Sequence, residues 1–195
     1  MNFAALRSKA FRQASALVGG TLFAQLVTFA ASPVLARLYS PAEFGVYGLF
    51  VSVSAIIASV ASGRYDLAIV LPADERDSLA VAMPALLTSL TVACVIGVVL
   101  AVSGVSWGAL VNNPSLDPWL WLLPFYVFFV SANQIFSQLN LRFDQFKTQA
   151  KVRAGQSVAS AGLGVGLAGF GLGVGGLIGS VILAQLIVNC LQIFL

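Results

Sequence analysis

Histidine is absent, and the 195 residues include only 10 Lys and Arg and 7 Asp and Glu. Without His, and with no Ser or Cys nucleophile near a plausible base, hydrolase or transferase chemistry has little support. Three of the seven carboxylates, Asp74, Glu75 and Asp77, cluster in one loop and read as a solvated helix start. Cysteine is nearly missing too. Cys94 and Cys190 each fall inside an apolar run, which marks them as buried thiols rather than a disulfide framework. No CxxC, His/Cys cluster, Walker or Rossmann glycine pattern occurs, so no metal or cofactor is expected, and the chain is not expected to be an enzyme. The net charge of +3 is scattered over the chain and forms no single basic face, which argues against a nucleic-acid partner.

What remains is apolar. The chain is 59% hydrophobic and 9% charged, against about 25% charged in soluble domains. A chain of this length cannot bury so much apolar surface and still cover itself with polar groups, so the bilayer is its natural solvent. Spanning the hydrocarbon takes about 20 residues as a helix. Six segments reach that length, at 13–35, 43–62, 78–103, 118–138, 154–174 and 176–195. None alternates like a barrel strand. The expectation is an all-α, polytopic bundle of six transmembrane helices forming a single domain over 1–195.

Local signals mark the joints. Ser40-Pro41-Ala42-Glu43 has the form of a capping box that starts the second helix almost without a loop. Asp117-Pro118 starts span 4 in a similar way. With the N-terminus in the cytoplasm, nine cations fall in inner segments and only Arg37 in an outer one, the bias expected for that orientation. Trp107, Trp119 and Trp121 then flank an outer loop. Nine glycines between Gly162 and Gly179 suggest a turn between two closely packed helices, with Gly162/Gly166 and Gly175/Gly179 as small-residue contacts, or a hairpin that bends during transport.

Polar residues inside spans are the informative ones, because lipid penalises them unless they face a bundle interior. Gln25, Asn133, Gln134, Gln156, Gln185 and Asn189 fit that description. They serve either as interhelical hydrogen bonds or as the lining of a water-filled cavity suited to sugar hydroxyls. Arg37 and Arg64 each stand at the end of a span. Either they snorkel to the interface, Arg64 pairing with Asp66, or they grip phosphate oxygens with their guanidinium forks.

The stretch Leu35-Ala-Arg-Leu-Tyr-Ser-Pro-Ala-Glu-Phe-Gly-Val-Tyr-Gly-Leu-Phe50 resembles polysaccharide-biosynthesis membrane proteins. These are the Wzx-type oligosaccharide flippases of the multidrug/oligosaccharidyl-lipid/polysaccharide exporter superfamily. The likeness continues through Ser62-Gly-Arg-Tyr-Asp-Leu-Ala-Ile-Val-Leu-Pro72, Trp121-Leu-Leu-Pro124, Arg142-Phe-Asp-Gln-Phe-Lys147 with Arg153 and Gln156, and the Gly-rich hairpin. The resemblance implies translocation of a polyprenyl-diphosphate-linked oligosaccharide across the bacterial inner membrane by alternating access between two bundles. It implies diphosphate contacts at Arg64 and, less so, Arg37, and ion coupling at Asp66 or Glu43. Implied partners are the lipid bilayer, the lipid-linked substrate, and a second six-span lobe or a polysaccharide polymerase. Six spans against the 12 to 14 of that family point to an N-terminal lobe or a truncated form, as does the ending at Leu195 without an anchor. A drug or cation antiporter of the same superfamily, or a non-transporting scaffold or remnant, are the alternatives.

Overall fold

Ser40 turns the chain between the first two helices, and it does so by the expected box. Its backbone N–H donates to Glu43 Oε2 at 2.6 Å, while the Glu43 N–H donates to Ser40 Oγ at 3.3 Å. Pro41 occupies the first helical turn, where its missing N–H has no intrahelical duty. Helix α1 (Phe3–Leu38) therefore meets α2 (Pro41–Ala61) across a two-residue corner. The structure, a computed structural model, describes residues 3–69 and 75–194. The side chains of 3–10, 12–14, 66, 75–77 and 193–194 lie outside that description.

After α2 the chain reverses through Gly63 and Arg64, both with left-handed backbone (φ 59° and 61°), into a single helical turn, α3 (Tyr65–Ala68). Then come α4 (Glu75–Ser103), the short α5 (Trp107–Leu110), a 3₁₀ turn at Pro114–Leu116 and the short α6 (Asp117–Leu120). The long helices α7 (Leu123–Arg142), α8 (Phe146–Ala168) and α9 (Val174–Phe194) complete the chain. Among the described residues there is no strand, so the fold is all-helical.

Among the described residues, four helical stretches are long and apolar enough to cross a membrane: Ser15–Leu38, Pro41–Ala61, Ser78–Ser103 and Val174–Gln192. Pro114–Leu120 with Leu123–Arg142 makes a fifth if that pair, bent by 65°, counts as one span. This is fewer than the six expected. The shortfall is α8, whose first turns carry Lys147, Lys151, Arg153, Gln149 and Gln156. It also starts earlier than 154 and stops at Ala168, because Gly171 and Gly173 take left-handed φ of 67° and 52°. In span 4 the break at Trp121–Leu122 precedes Pro124, which stands in the first turn of α7 with no N–H to continue an earlier helix.

Helix α7 packs on α2, α4, α8 and α9, α9 packs also on α8 and α2, and α1 lies on α8. Helix α2 buries Val46, Phe50, Ser54, Ala58 and Ala61, a stripe at helical spacing. Its small lower half brings α7 close enough for Ser131 Oγ to meet the Ala58 carbonyl at 3.5 Å. Gly20 plays the same part for α1, since a Cβ there would fall 2.6 Å from that of Ala150. In the hairpin the expected contact at Gly175 is present, while those at Gly162 and Gly166 are not. Gly162 and Gly166 face open space, whereas Gly164 lies under Leu35, Gly175 under the Trp119 ring and Gly176 under the Tyr39 hydroxyl. Both cysteines are free and exposed on the bundle's outer faces, not buried as expected. An apolar run in a membrane protein points out as readily as in.

Candidate functional site

Helix α8 places Gln149, Arg153, Gln156, Ser157 and Ser160 at intervals of three and four residues, which puts them on one face. Opposite this face, α7 offers Asn133, Gln134, Ser137 and Gln138, and α1 offers Thr21, Gln25 and Thr28. Two polar cavities result. One, of about 380 Å³, lies between α7 and α8 and is closed at one edge by Ser59 and Arg64. The other, a cleft of about 410 Å³, runs between α1 and α8. Arg153 and Gln156 line both, so the cavities adjoin. Among the described residues no carboxylate lines either one.

Arg64 is exposed, and its Nη1 donates to the Ser59 carbonyl at 3.4 Å, at the negative end of the α2 dipole. This folds the guanidinium back toward the cavity rather than out along the loop. Arg153 Nη1 donates to Thr21 Oγ1 at 3.1 Å, tying α8 to α1. Gln149, only 2% exposed, donates to Ser137 Oγ at 2.9 Å and fixes the spacing of α7 and α8.

Behind the wall lies an amide chain. Gln156 Nε2 donates to Gln185 Oε1 at 2.6 Å. Gln185 and Asn189 in turn donate to the Phe129 carbonyl at 3.2 and 2.9 Å. Such bonds hold α7, α8 and α9 together at roughly 0.6 kcal/mol each. Asn133 Nδ2 and Asn189 Oδ1 are buried without a hydrogen-bond partner.

Of the residues singled out from sequence, Arg64, Asn133, Gln134 and Gln156 line the α7–α8 cavity, and Gln25 and Gln156 line the α1–α8 cleft. Gln185 and Asn189 stand behind the wall as its support. Arg37 and Glu43 are at the far end of the bundle, separated from Arg64 by the length of α2, about 30 Å at 1.5 Å per residue. There Glu43 closes the capping box, and a Cβ on Gly173 would meet its Oε1 at 2.5 Å. The Asp66 side chain lies outside the described residues.

Arg153 is the residue that the sequence reading placed among loop cations. The structure seats it two turns inside α8, at the junction of both cavities. The signal was present in the four-residue steps Gln149, Arg153, Ser157, read as one helix face.

Comparison with curated proteins and with solved structures gives no match. A protein-family model described as polysaccharide biosynthesis protein matches residues 34–195, which takes in α2 to α9 and both cavity walls except most of α1. By that match the chain belongs to the polysaccharide biosynthesis protein family.

Proposed function

We propose that this chain moves a polyprenyl-diphosphate-linked oligosaccharide across the bacterial inner membrane, as one lobe of an alternating-access flippase in surface-polysaccharide or O-antigen synthesis. The observation that carries the reading is the α7–α8 cavity, which Arg64 and Arg153 line together with amide side chains. Guanidinium forks match phosphate oxygens two at a time, and amides on a semi-dry wall suit hydroxyl groups. Membership of the polysaccharide biosynthesis family supports the same substrate class. The role is transport, not covalent catalysis.

On this reading α8 is the sixth span. Its 23 residues reach about 35 Å, and its polar groups between Gln149 and Ser160 line the cavities. The end bearing Arg64 faces the cytoplasm, as the excess of cations there requires. A second lobe, with a polymerase acting on the delivered product, would be the partners. Two guanidiniums on the cavity lining repel cations, which disfavours a cationic-drug antiporter.

The test is Arg64→Ala and Arg153→Ala in cells whose surface polysaccharide depends on the protein. Each is expected to abolish the polysaccharide ladder while membrane insertion stays normal. Unchanged ladders in both variants would count against the phosphate role and against this reading.

A further inference from the structure

The two adjoining cavities differ in hydrogen-bonding character. In the α1–α8 cleft every lining hydroxyl donates its proton to its own helix. Thr21 bonds the Leu17 carbonyl at 2.9 Å, Thr28 that of Ala24 at 3.0 Å, Ser157 that of Ala154 at 2.9 Å and Ser160 that of Ser157 at 3.1 Å. A hydroxyl has one proton and two lone pairs, so a hydroxyl bonded this way faces the cleft as an acceptor. The α7–α8 cavity has two hydroxyls, Ser59, which likewise donates to its own helix, and Ser137, which accepts from Gln149. It adds the guanidinium of Arg64 to that of Arg153, which lines both; guanidiniums donate and cannot accept.

A phosphate group accepts only. It is satisfied beside the guanidiniums and finds no donor among the cleft hydroxyls. A sugar ring carries several O–H donors and meets the opposite case. A cation would also suit an acceptor array, but Arg153 lines the same cleft and repels it. The cleft's volume of about 410 Å³ falls in the range of about 300–1,000 Å³ usual for small-ligand sites.

We infer that the α1–α8 cleft is a subsite for the uncharged, hydroxyl-rich part of the ligand, next to an anion subsite between α7 and α8, with Arg153 at their junction. This rests on the transport reading above and extends it. It assigns the sugar nearest the diphosphate to a groove formed by α1 and α8.

The experiment measures equilibrium binding to the whole chain in lipid nanodiscs. The probes are a short-chain polyprenyl diphosphate, bare and carrying a disaccharide. The double variant Thr28→Val/Ser160→Ala removes two acceptors at nearly constant shape. It should weaken the glycosylated probe roughly ten-fold and leave the bare one unchanged. Gln25→Ala, at an exposed position, should discriminate in the same sense. Arg153→Gln should weaken both probes. Equal effects of the cleft variants on both probes, or no effect on the glycosylated one, overturn the sugar subsite alone. Failure of the unmodified chain to bind the bare diphosphate overturns the transport reading, and this inference with it.

Discussion

At the end of the bundle near Ser40, glycines of the α8–α9 hairpin let Leu35, Tyr39, Glu43 and Trp119 approach the backbone closely. Tyr39, only 4% exposed, donates from its hydroxyl to the Gly164 carbonyl at 2.8 Å. At the end near Arg64 the same helices part around two polar cavities held by side-chain amides. One end is packed through its glycines, with only a small pocket of about 90 Å³ left there, and the other is kept open by hydrogen bonds. Shape tolerates no added atoms, while amide networks in a membrane contribute little stability each. The glycine end should therefore dominate stability, and the arginine end should dominate activity.

Gly176→Val tests the first half of that contrast most severely. A Cβ at Gly176 would lie 2.6 Å from the Tyr39 hydroxyl and 3.4 Å from Leu167 Cβ. The loss should reach about 3 kcal/mol, the upper end for overpacking, read from denaturant unfolding in detergent. A change below about 1 kcal/mol would mean that the glycine end is looser than its packing suggests.

Tyr39→Phe removes a buried hydrogen bond to the Gly164 carbonyl and should cost about 1 kcal/mol. It carries a pH signature as well. Burial, reinforced by the Glu43 carboxylate, raises the Tyr39 pKa above its ordinary value. The unfolded chain thus releases this proton first. The stabilisation from Tyr39 is complete below pH about 10 and lost as pH rises through the folded-state value. The variant should lack that part of the alkaline decline.

Gln185→Leu removes two interhelical bonds from α9, one from Gln156 and one to the Phe129 carbonyl, and should cost about 1 kcal/mol, far less than Gly176→Val. Transport should suffer more than stability, since Gln156 loses the partner that holds it between the cavities. Equal loss of stability at the two ends would break the comparison.

The contrast also explains what the sequence could reveal. The helices and the Ser40 corner were legible because apolar length and capping chemistry are local properties. Helix α8 was harder to bound, since the polar face that lines both cavities is also what removes it from the set of apolar spans. Gln25, Asn133, Gln134 and Gln156 could be picked out as polar groups in apolar runs. Arg153 was passed over, because near a loop a cation reads as topology unless its four-residue steps to Gln149 and Ser157 are followed as one helix face. The glycine pattern showed that helices would touch but not which turn would face Tyr39 or Trp119. The cysteines misled because burial in lipid and burial in protein look alike in one dimension.

The bond between Arg153 and Thr21 joins residues 132 positions apart. During synthesis at about 5–20 residues per second, α1 therefore exists for on the order of ten seconds before α8 emerges. Through that interval Thr21, Gln25 and Thr28 have no α8 to face. Membrane assembly of this chain thus has a waiting period written into its contact order, in which α1 is made well before the helix that seats it.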